Sequence, residues 1–363
     1  MRIAVLGVGL IGGSIGLAAR RRLEAEVTGF DPDGGNLLRA QELGAIDRAA
    51  PDVAATCRDA EVVFCAAPVA ALPGLVAEAL EASAEDAVVT DVGSTKQELL
   101  AALAGRRDAA RFVGGHPLAG AETAGVENAR PDLFEGARWY LTPTDRSSGM
   151  LYDRLQRALA ELGARPQAID PETHDRVMAT VSHLPHVLAD VLVSQASGAL
   201  AEESERIPEV GPSFRDATRV AGANPELWAE IFAANGPMVA REVDALVERL
   251  REAAELLREG EPAALRRWHE RAREDRRRLL ETELAGGPLA ELRVRVHNRP
   301  GTVAEIALAL GRAGVNIEDM ALYPSADMRS GAISVWVAGA EQAERASRAI
   351  SELGHDVALA GGG

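Results

Sequence analysis

Ile3-Ala4-Val5-Leu6-Gly7-Val8-Gly9-Leu10-Ile11-Gly12 is the stretch that decides the fold. The four leading apolar residues predict a strand, and the apolar spacing from Leu10 to Arg22 predicts a helix directly after it. Between them stands G-x-G-x-x-G. In such a motif the first glycine permits a tight turn. The second lets the backbone approach a pyrophosphate, and the third lets helix and strand pack closely. The phosphates then meet free N–H groups at the helix N-terminus. A charged start followed by the uncharged run Ile3 to Ala19 also has the form of an export signal. Five glycines in that run, at 7, 9, 12, 13 and 16, favour strand, turn and helix, since each weakens a helical apolar core by about 1 kcal/mol relative to alanine.

Outward from this loop, Glu26-Val27-Thr28-Gly29-Phe30 predicts a second strand, and Asp31 ends it 19 residues after Gly12. An acid there accepts hydrogen bonds from the adenosine ribose and repels a 2′-phosphate. Gly7, Gly9, Gly12 and Asp31 therefore predict NAD rather than NADP. The alternative role for Asp31 is to cap the turn Asp31-Pro32-Asp33-Gly34. Apolar runs at 61–65, 87–90 and 111–115 alternate with helical spacing at 69–81 and 95–104. Strands alternating with helices indicate an α/β domain, its mostly parallel sheet covered on both faces. It occupies residues 1 to 168.

The texture changes at Asp170-Pro171, a pair suited to a helix start. From 169 to 285 the spacing predicts about five helices and no clear strand. Breaks fall near Ile207-Pro208, Gly222 to Pro225, Gly236-Pro237 and Gly260 to Pro262. Leu284 to Pro288 reads as a linker. From 289 to 363 the order is βαββαβ, a ferredoxin-like unit of about 70 residues.

A chain of 363 residues has room for two or three such domains. Its net charge of −16 argues against a nucleic-acid partner, which calls for a basic patch. No other stretch reaches 18 consecutive apolar residues, so no membrane-spanning helix is expected. Two cysteines, Cys57 and Cys65, form no disulfide framework and fit a reduced, cytoplasmic protein. The seven arginines of Arg266 to Arg278 alternate with acids, as on a solvated helix face or an intersubunit contact.

Histidine is the side chain best suited to proton transfer near neutral pH. His116 lies in Gly114-Gly115-His116-Pro117-Leu118-Ala119-Gly120, a loop expected to follow a strand and to face the cofactor crevice. Small neighbours leave room for a ligand beside the imidazole, although a loop histidine can also simply bond backbone. His183 and His186, at i and i+3 in Ser182-His183-Leu184-Pro185-His186, share a helix face, with His174 and Asp190 near it. A full metal set such as H-E-x-x-H is absent, so polar substrate contacts or buried histidines are expected and no metal is assigned. Ser94, in Asp91-Val92-Gly93-Ser94-Thr95-Lys96, is expected at a helix N-cap. Phe214-Arg215-Asp216-Ala217-Thr218-Arg219 offers guanidinium forks for a carboxylate, and Trp228 follows nine residues later.

In order and spacing, these motifs resemble the prephenate dehydrogenase family, followed by a C-terminal ACT domain. The resemblance covers residues 1 to 285 and 289 to 360. It implies a Rossmann domain, a helical domain that dimerises, and an active site between them. It also implies NAD-dependent oxidative decarboxylation of prephenate to 4-hydroxyphenylpyruvate and CO2 in tyrosine biosynthesis. By resemblance His116 is the catalytic base and Ser94 bonds near the reacting hydroxyl. Arg219 grips a substrate carboxylate, and His183, His186 and Trp228 are further substrate contacts. Asp175 is expected to pair with Arg219 when substrate is absent. Asn298-Arg299-Pro300-Gly301-Thr302 and Gly314-Val315-Asn316-Ile317 are ACT-like, and the resemblance implies that Asn298 and Asn316 bind an aromatic amino acid, expected to be tyrosine. Arogenate dehydrogenase, with the same fold and chemistry, is the nearest alternative. An amino-acid sensor with a vestigial nucleotide domain would not need the intact glycine loop, Asp31 and His116. β-Hydroxyacid dehydrogenases use a lysine in the helical domain, and no lysine lies between 171 and 285 here.

Overall fold

The computed structural model describes all residues except 120–122, 204–209, 284–288, 298–301, 316, 318, 326–329 and 361–363. The chain divides into two compact units, Met1–Arg249 and Leu250–Gly363.

The first unit opens with β1 (Arg2–Leu6), α1 (Leu10–Leu23), β2 (Glu26–Phe30), α2 (Gly34–Glu42) and β3 (Arg48–Ala49). There follow α3 (Val53–Cys57), β4 (Val62–Cys65), α4 (Leu72–Ala82), β5 (Val88–Asp91) and α5 (Gln97–Leu103). The sheet order is β3-β2-β1-β4-β5, parallel throughout. β4 and β5 are buried at every residue, and β1 at all but its first. That is why they read as unbroken apolar runs rather than alternating ones. Strand order reverses between β1 and β4, and ligands of such sheets bind outside the carboxyl ends of the strands at this point.

The fifth expected strand differs. Residues 107–111 form a 3-10 turn, and the strand is β6 (Gly114–Pro117). It belongs to a separate sheet with β7 (Arg138–Thr142) and β8 (Arg165–Ala168), with α6 (Gly149–Glu161) between the last two. β6 pairs antiparallel with β7, and Val89 makes only an isolated bridge to Phe112. His116 is therefore a strand residue, not a loop residue.

Helices follow. Asp170 caps α7 (Pro171–Met178) by accepting from the Glu172 and Thr173 N–H groups, with Pro171 in the first turn. Ala179–His183 is a π-helical turn, a distortion frequent at functional sites, and it leads into α8 (Leu184–Glu203). Then come α9 (Pro212–Thr218), α10 (Pro225–Ala234) and α11 (Gly236–Glu259), in which the first unit ends. The run Pro171–Gly198 is long and apolar enough to cross a membrane by length and composition alone, although Asp175, Arg176 and Asp190 interrupt it. Its exposed side carries Val181, Leu188, Val191, Leu192 and Val193.

The second unit contains α12 (Pro262–Glu283), then β9 (Leu289–His297), α13 (Thr302–Arg312), β10 (Asp319–Pro324), β11 (Ser330–Ala338), α14 (Ala340–Glu352) and β12 (Asp356–Ala360). The last six are the expected βαββαβ, in an antiparallel sheet of order β10-β11-β9-β12. Leu292, Val294, Ile333, Val335 and Val337 meet Ile306, Leu310, Ala346 and Ile350 in its core. Asn298 and Asn316 lie outside the described residues.

Candidate active site

The glycine loop has the shape its sequence requires. Gly7 adopts φ +95°, and a Cβ there would fall 2.2 Å from the Ala66 carbonyl oxygen. A Cβ on Gly12 would sit 1.9 Å from the Gly7 oxygen. Gly9 is different: it caps α1 without a side chain, and a Cβ there would meet nothing within 4 Å. The backbone over Gly9 thus faces open space at the start of a helix, a cradle that fits a pyrophosphate. Asp31 stands at the end of β2, where its Oδ2 accepts from the Val8 N–H at 2.9 Å. Its Oδ1 accepts from the Asp33 N–H at 2.9 Å, so the carboxylate also caps its own turn. These residues fit the adenosine half of NAD.

Beneath the expected reaction centre lies a buried ion pair. Lys96 Nζ donates to Asp91 Oδ2, and both side chains are fully buried. The same carboxylate accepts from Gly93 N–H at 2.8 Å and Gly115 N–H at 3.0 Å. Asp91 thereby ties the end of β5 to β6 and fixes His116, the next residue. Lys96 is the sole lysine among 39 basic residues of the chain.

His116 is buried, and its Nδ1 lies 2.9 Å from His174 Nε2. His174 Nδ1 lies 2.7 Å from Asp175 Oδ1. Asp175 also accepts from Lys96 N–H at 2.9 Å and Gln97 N–H at 2.8 Å. This corrects two expectations. Lys96, not Ser94, is the N-cap residue of α5, and the carboxylate that serves the helix start comes from α7. Asp175 does not wait for Arg219; its oxygens are held by His174 and two backbone amides. Ser94 is half-buried in the turn after β5, and its hydroxyl makes no hydrogen bond among the described residues.

Asn235, at the end of α10, donates to the Asp175 carbonyl at 2.8 Å and contacts His183 Nδ1 at 3.2 Å. Trp228 then gathers the two histidines of the helical run. His183 meets it edge-on at 5.8 Å, and His186 stacks on it at 3.3 Å between ring centroids. Arg219 is exposed in the turn after α9, near enough for its charge to act on His186. Thus His183, His186 and Trp228 gather on the helices, and His116 is linked to them through His174, Asp175 and Asn235. Lys96 and Asn235 were not singled out by sequence, which placed His174 only near the histidine face and Asp175 only beside Arg219. The lone lysine and the His174-Asp175 pair at a helix start were the signals available.

The electrostatics lower the pKa of three of these imidazoles. Burial pushes His116 well below its ordinary pKa, helped by His174, Lys96 and His183. Burial lowers His183 to about 4, against the pull of Asp175. Burial also lowers His186; Asp190 opposes this and Arg219 adds to it. A neutral imidazole in a dry site can accept a proton from a hydroxyl.

Comparison with known proteins agrees with this geometry. A family model for the prephenate dehydrogenase nucleotide-binding domain matches residues 15–167, one for the prephenate dehydrogenase dimerization domain matches 170–271, and an ACT domain model matches 290–355. A prephenate dehydrogenase of Bacillus subtilis is 29% identical over 357 residues, 96% of this chain and 95% of that protein. The crystal structure of A. aeolicus prephenate dehydrogenase with hydroxyphenyl propionate and NAD+ is similar at TM-score 0.68 and 31% identity, over 76% of this chain and 97% of that one. Synechocystis arogenate dehydrogenase is similar at TM-score 0.65 and 28% identity, over 76% and 99%. With a glycine loop and acid shaped for NAD, a buried histidine held by the His174-Asp175 pair and this span of likeness, the chain belongs to the prephenate dehydrogenase family of NAD-dependent oxidoreductases and carries an ACT domain.

Proposed function

We propose that this protein oxidises prephenate with NAD+, without a metal, to 4-hydroxyphenylpyruvate, CO2 and NADH. The observation that carries the proposal is the buried His116, anchored through β6 at the edge of the nucleotide-binding segment and linked through His174, Asp175 and Asn235 to His183, against which Trp228 packs. His116 takes the proton of the ring hydroxyl as the carbinol carbon becomes a carbonyl. Ser94 hydrogen-bonds near that hydroxyl. Arg219 binds a substrate carboxylate, while His183, His186 and Trp228 hold the rest of the substrate. NAD, when bound, supplies the hydride acceptor, and Gly7, Gly9, Gly12 and Asp31 hold it. Loss of the ring carboxylate aromatises the ring and drives the reaction forward.

We divide the chain into segments 1–168, 169–285 and 289–363, a reading supported by family matches over 15–167, 170–271 and 290–355. A homodimer is supported by the dimerization-domain match and by the exposed apolar side of Pro171–Gly198. The ACT domain supports an amino-acid effector, for which we propose tyrosine, bound through Asn298 and Asn316. Two buried free thiols, Cys57 and Cys65, support a reducing, cytoplasmic setting.

Rates with prephenate and arogenate, each with NAD and NADP, test the assignment. Prephenate with NAD should be preferred. The Synechocystis likeness favours arogenate as the second reading, and a preference for arogenate would establish it. His116→Asn should lower kcat by about 10²-fold or more, the usual scale for a general base. Near wild-type kcat would remove His116 from the chemistry.

A further inference from the structure

We propose that His174 is a positioning residue that, held by Asp175, fixes the tautomer of His116 so that its Nε2 lone pair, not an N–H, faces the substrate. This rests on His116 acting as the base. The direction of each hydrogen bond follows from what each group can do. Asp175 accepts from His174 and from two backbone N–H groups, so its carboxylate serves only as an acceptor. His174 Nδ1 must then carry the proton. With that proton on Nδ1, the other ring nitrogen, Nε2, is left to accept with its lone pair and lies 2.9 Å from His116 Nδ1. That lone pair needs a donor, so His116 Nδ1 carries the hydrogen and its Nε2 is bare. Among the described residues His116 makes its one side-chain hydrogen bond through Nδ1, and none is made through Nε2.

During reaction the substrate O–H bond breaks and an Nε2–H bond forms on His116. The positive charge that appears on the ring strengthens its Nδ1–H bond to His174, which is polarised in turn by the Asp175 carboxylate. No proton needs to leave His174. Edge-to-face contacts of His174 with His116, centroids 5.1 Å apart, and with Tyr140 at 5.7 Å hold the intermediate ring in place. Without this acceptor His116 is free to adopt the other tautomer, in which an N–H meets the substrate hydroxyl. A wrong tautomer of a catalytic histidine costs as much as about 10⁴ in kcat in a serine-protease triad.

Two substitutions separate position from bulk. His174→Asn keeps a donor for Asp175 but loses the acceptor at Nε2. His174→Gln places an amide oxygen where Nε2 stood. We expect His174→Asn to lower kcat by about 10²-fold or more. His174→Gln should recover most of it, and NAD affinity and thermal midpoint should be alike in both. Equal kcat values in the two variants, or wild-type kcat in His174→Asn, would overturn the proposal. Nitrogen-15 spectra of histidine-labelled wild-type protein, with His116→Asn to assign the signal, read the tautomer directly at neutral pH. A bare Nε2 is expected, and a protonated Nε2 in neutral His116 would also overturn it. Normal kcat in His116→Asn would instead sink the base assignment, while the spectra still decide the tautomer.

Discussion

Replacing Lys96 by methionine should destabilise the protein and move the acid limb of its activity at the same time. Lys96 and Asp91 are both fully buried, so removing the ammonium leaves a carboxylate without its counter-charge in a dry site. Breaking a buried pair on one side costs about 3 to 5 kcal/mol. Asp91 keeps the Gly93 and Gly115 N–H groups at 2.8 and 3.0 Å, which points to the lower end, about 3 kcal/mol. The double variant Asp91→Asn, Lys96→Met removes both charges and should recover part of that loss. Lys96 is also one of the groups that hold the His116 pKa down, after burial and His174. Without it, His116 binds a proton at higher pH, and kcat/KM should begin to fall at higher pH on acidification. Urea unfolding followed by circular dichroism measures the first effect, and the pH profile of kcat/KM the second. A loss below about 1 kcal/mol would refute the buried-pair argument; an unmoved acid limb would refute the coupling to His116.

Three further outcomes are expected. Asp31→Ala should narrow the preference for NAD over NADP by removing the charge opposed to a 2′-phosphate, and equal efficiency of the wild type with both cofactors would contradict the assignment. His183, lowered to about 4, makes the unfolded chain bind a proton first as pH falls through 6.5. Stability is then fully present above about 6.5 and declines toward pH 4 by about 3 kcal/mol. Urea midpoints should fall less on acidification in His183→Gln, and an identical decline would refute this. Finally, a chain ending at Glu283 should stay active and lose inhibition by tyrosine. Undiminished inhibition would mean that tyrosine competes at the active site, as a product-like molecule would.

The parts of the fold legible in sequence were those set by neighbours along the chain. β1, the glycine turn and α1 are specified by consecutive residues, and the Asp170-Pro171 start of α7 is a local cap. The tail shows its half-buried alternation in Leu292, Val294 and Val296. β6 was misplaced because Arg111 to Gly115 has the apolar content of a strand, whereas Gly114-Gly115-His116-Pro117 reads as a loop. Only pairing with β7 makes it a strand, and β7 begins 21 residues after β6 ends. Glycine is also required there by its surroundings: a Cβ on Gly114 would meet Thr142 Oγ1 at 2.3 Å.

The candidate site was half legible for the same reason. A histidine in a small-residue setting can be recognised locally, but what holds it cannot. His174 is 58 residues from His116, and Asp175 is 79 and 78 residues from the amides of Lys96 and Gln97 that it accepts. One carboxylate on α7 thus serves two tasks at once: it completes the start of α5, just beyond Ser94, and it orients the ring that meets His116. Asn235 extends the link from the Asp175 carbonyl to His183. The residues proposed for proton transfer stand on the nucleotide-binding segment, while the groups that orient them stand on the helices. On the proposed tautomer, both segments are needed to present the base. Coupling of this kind explains why Asp175 is buried against backbone donors rather than left to pair with an exposed arginine. A carboxylate that exchanged partners with each substrate would release the geometry of His116 at the moment it is needed.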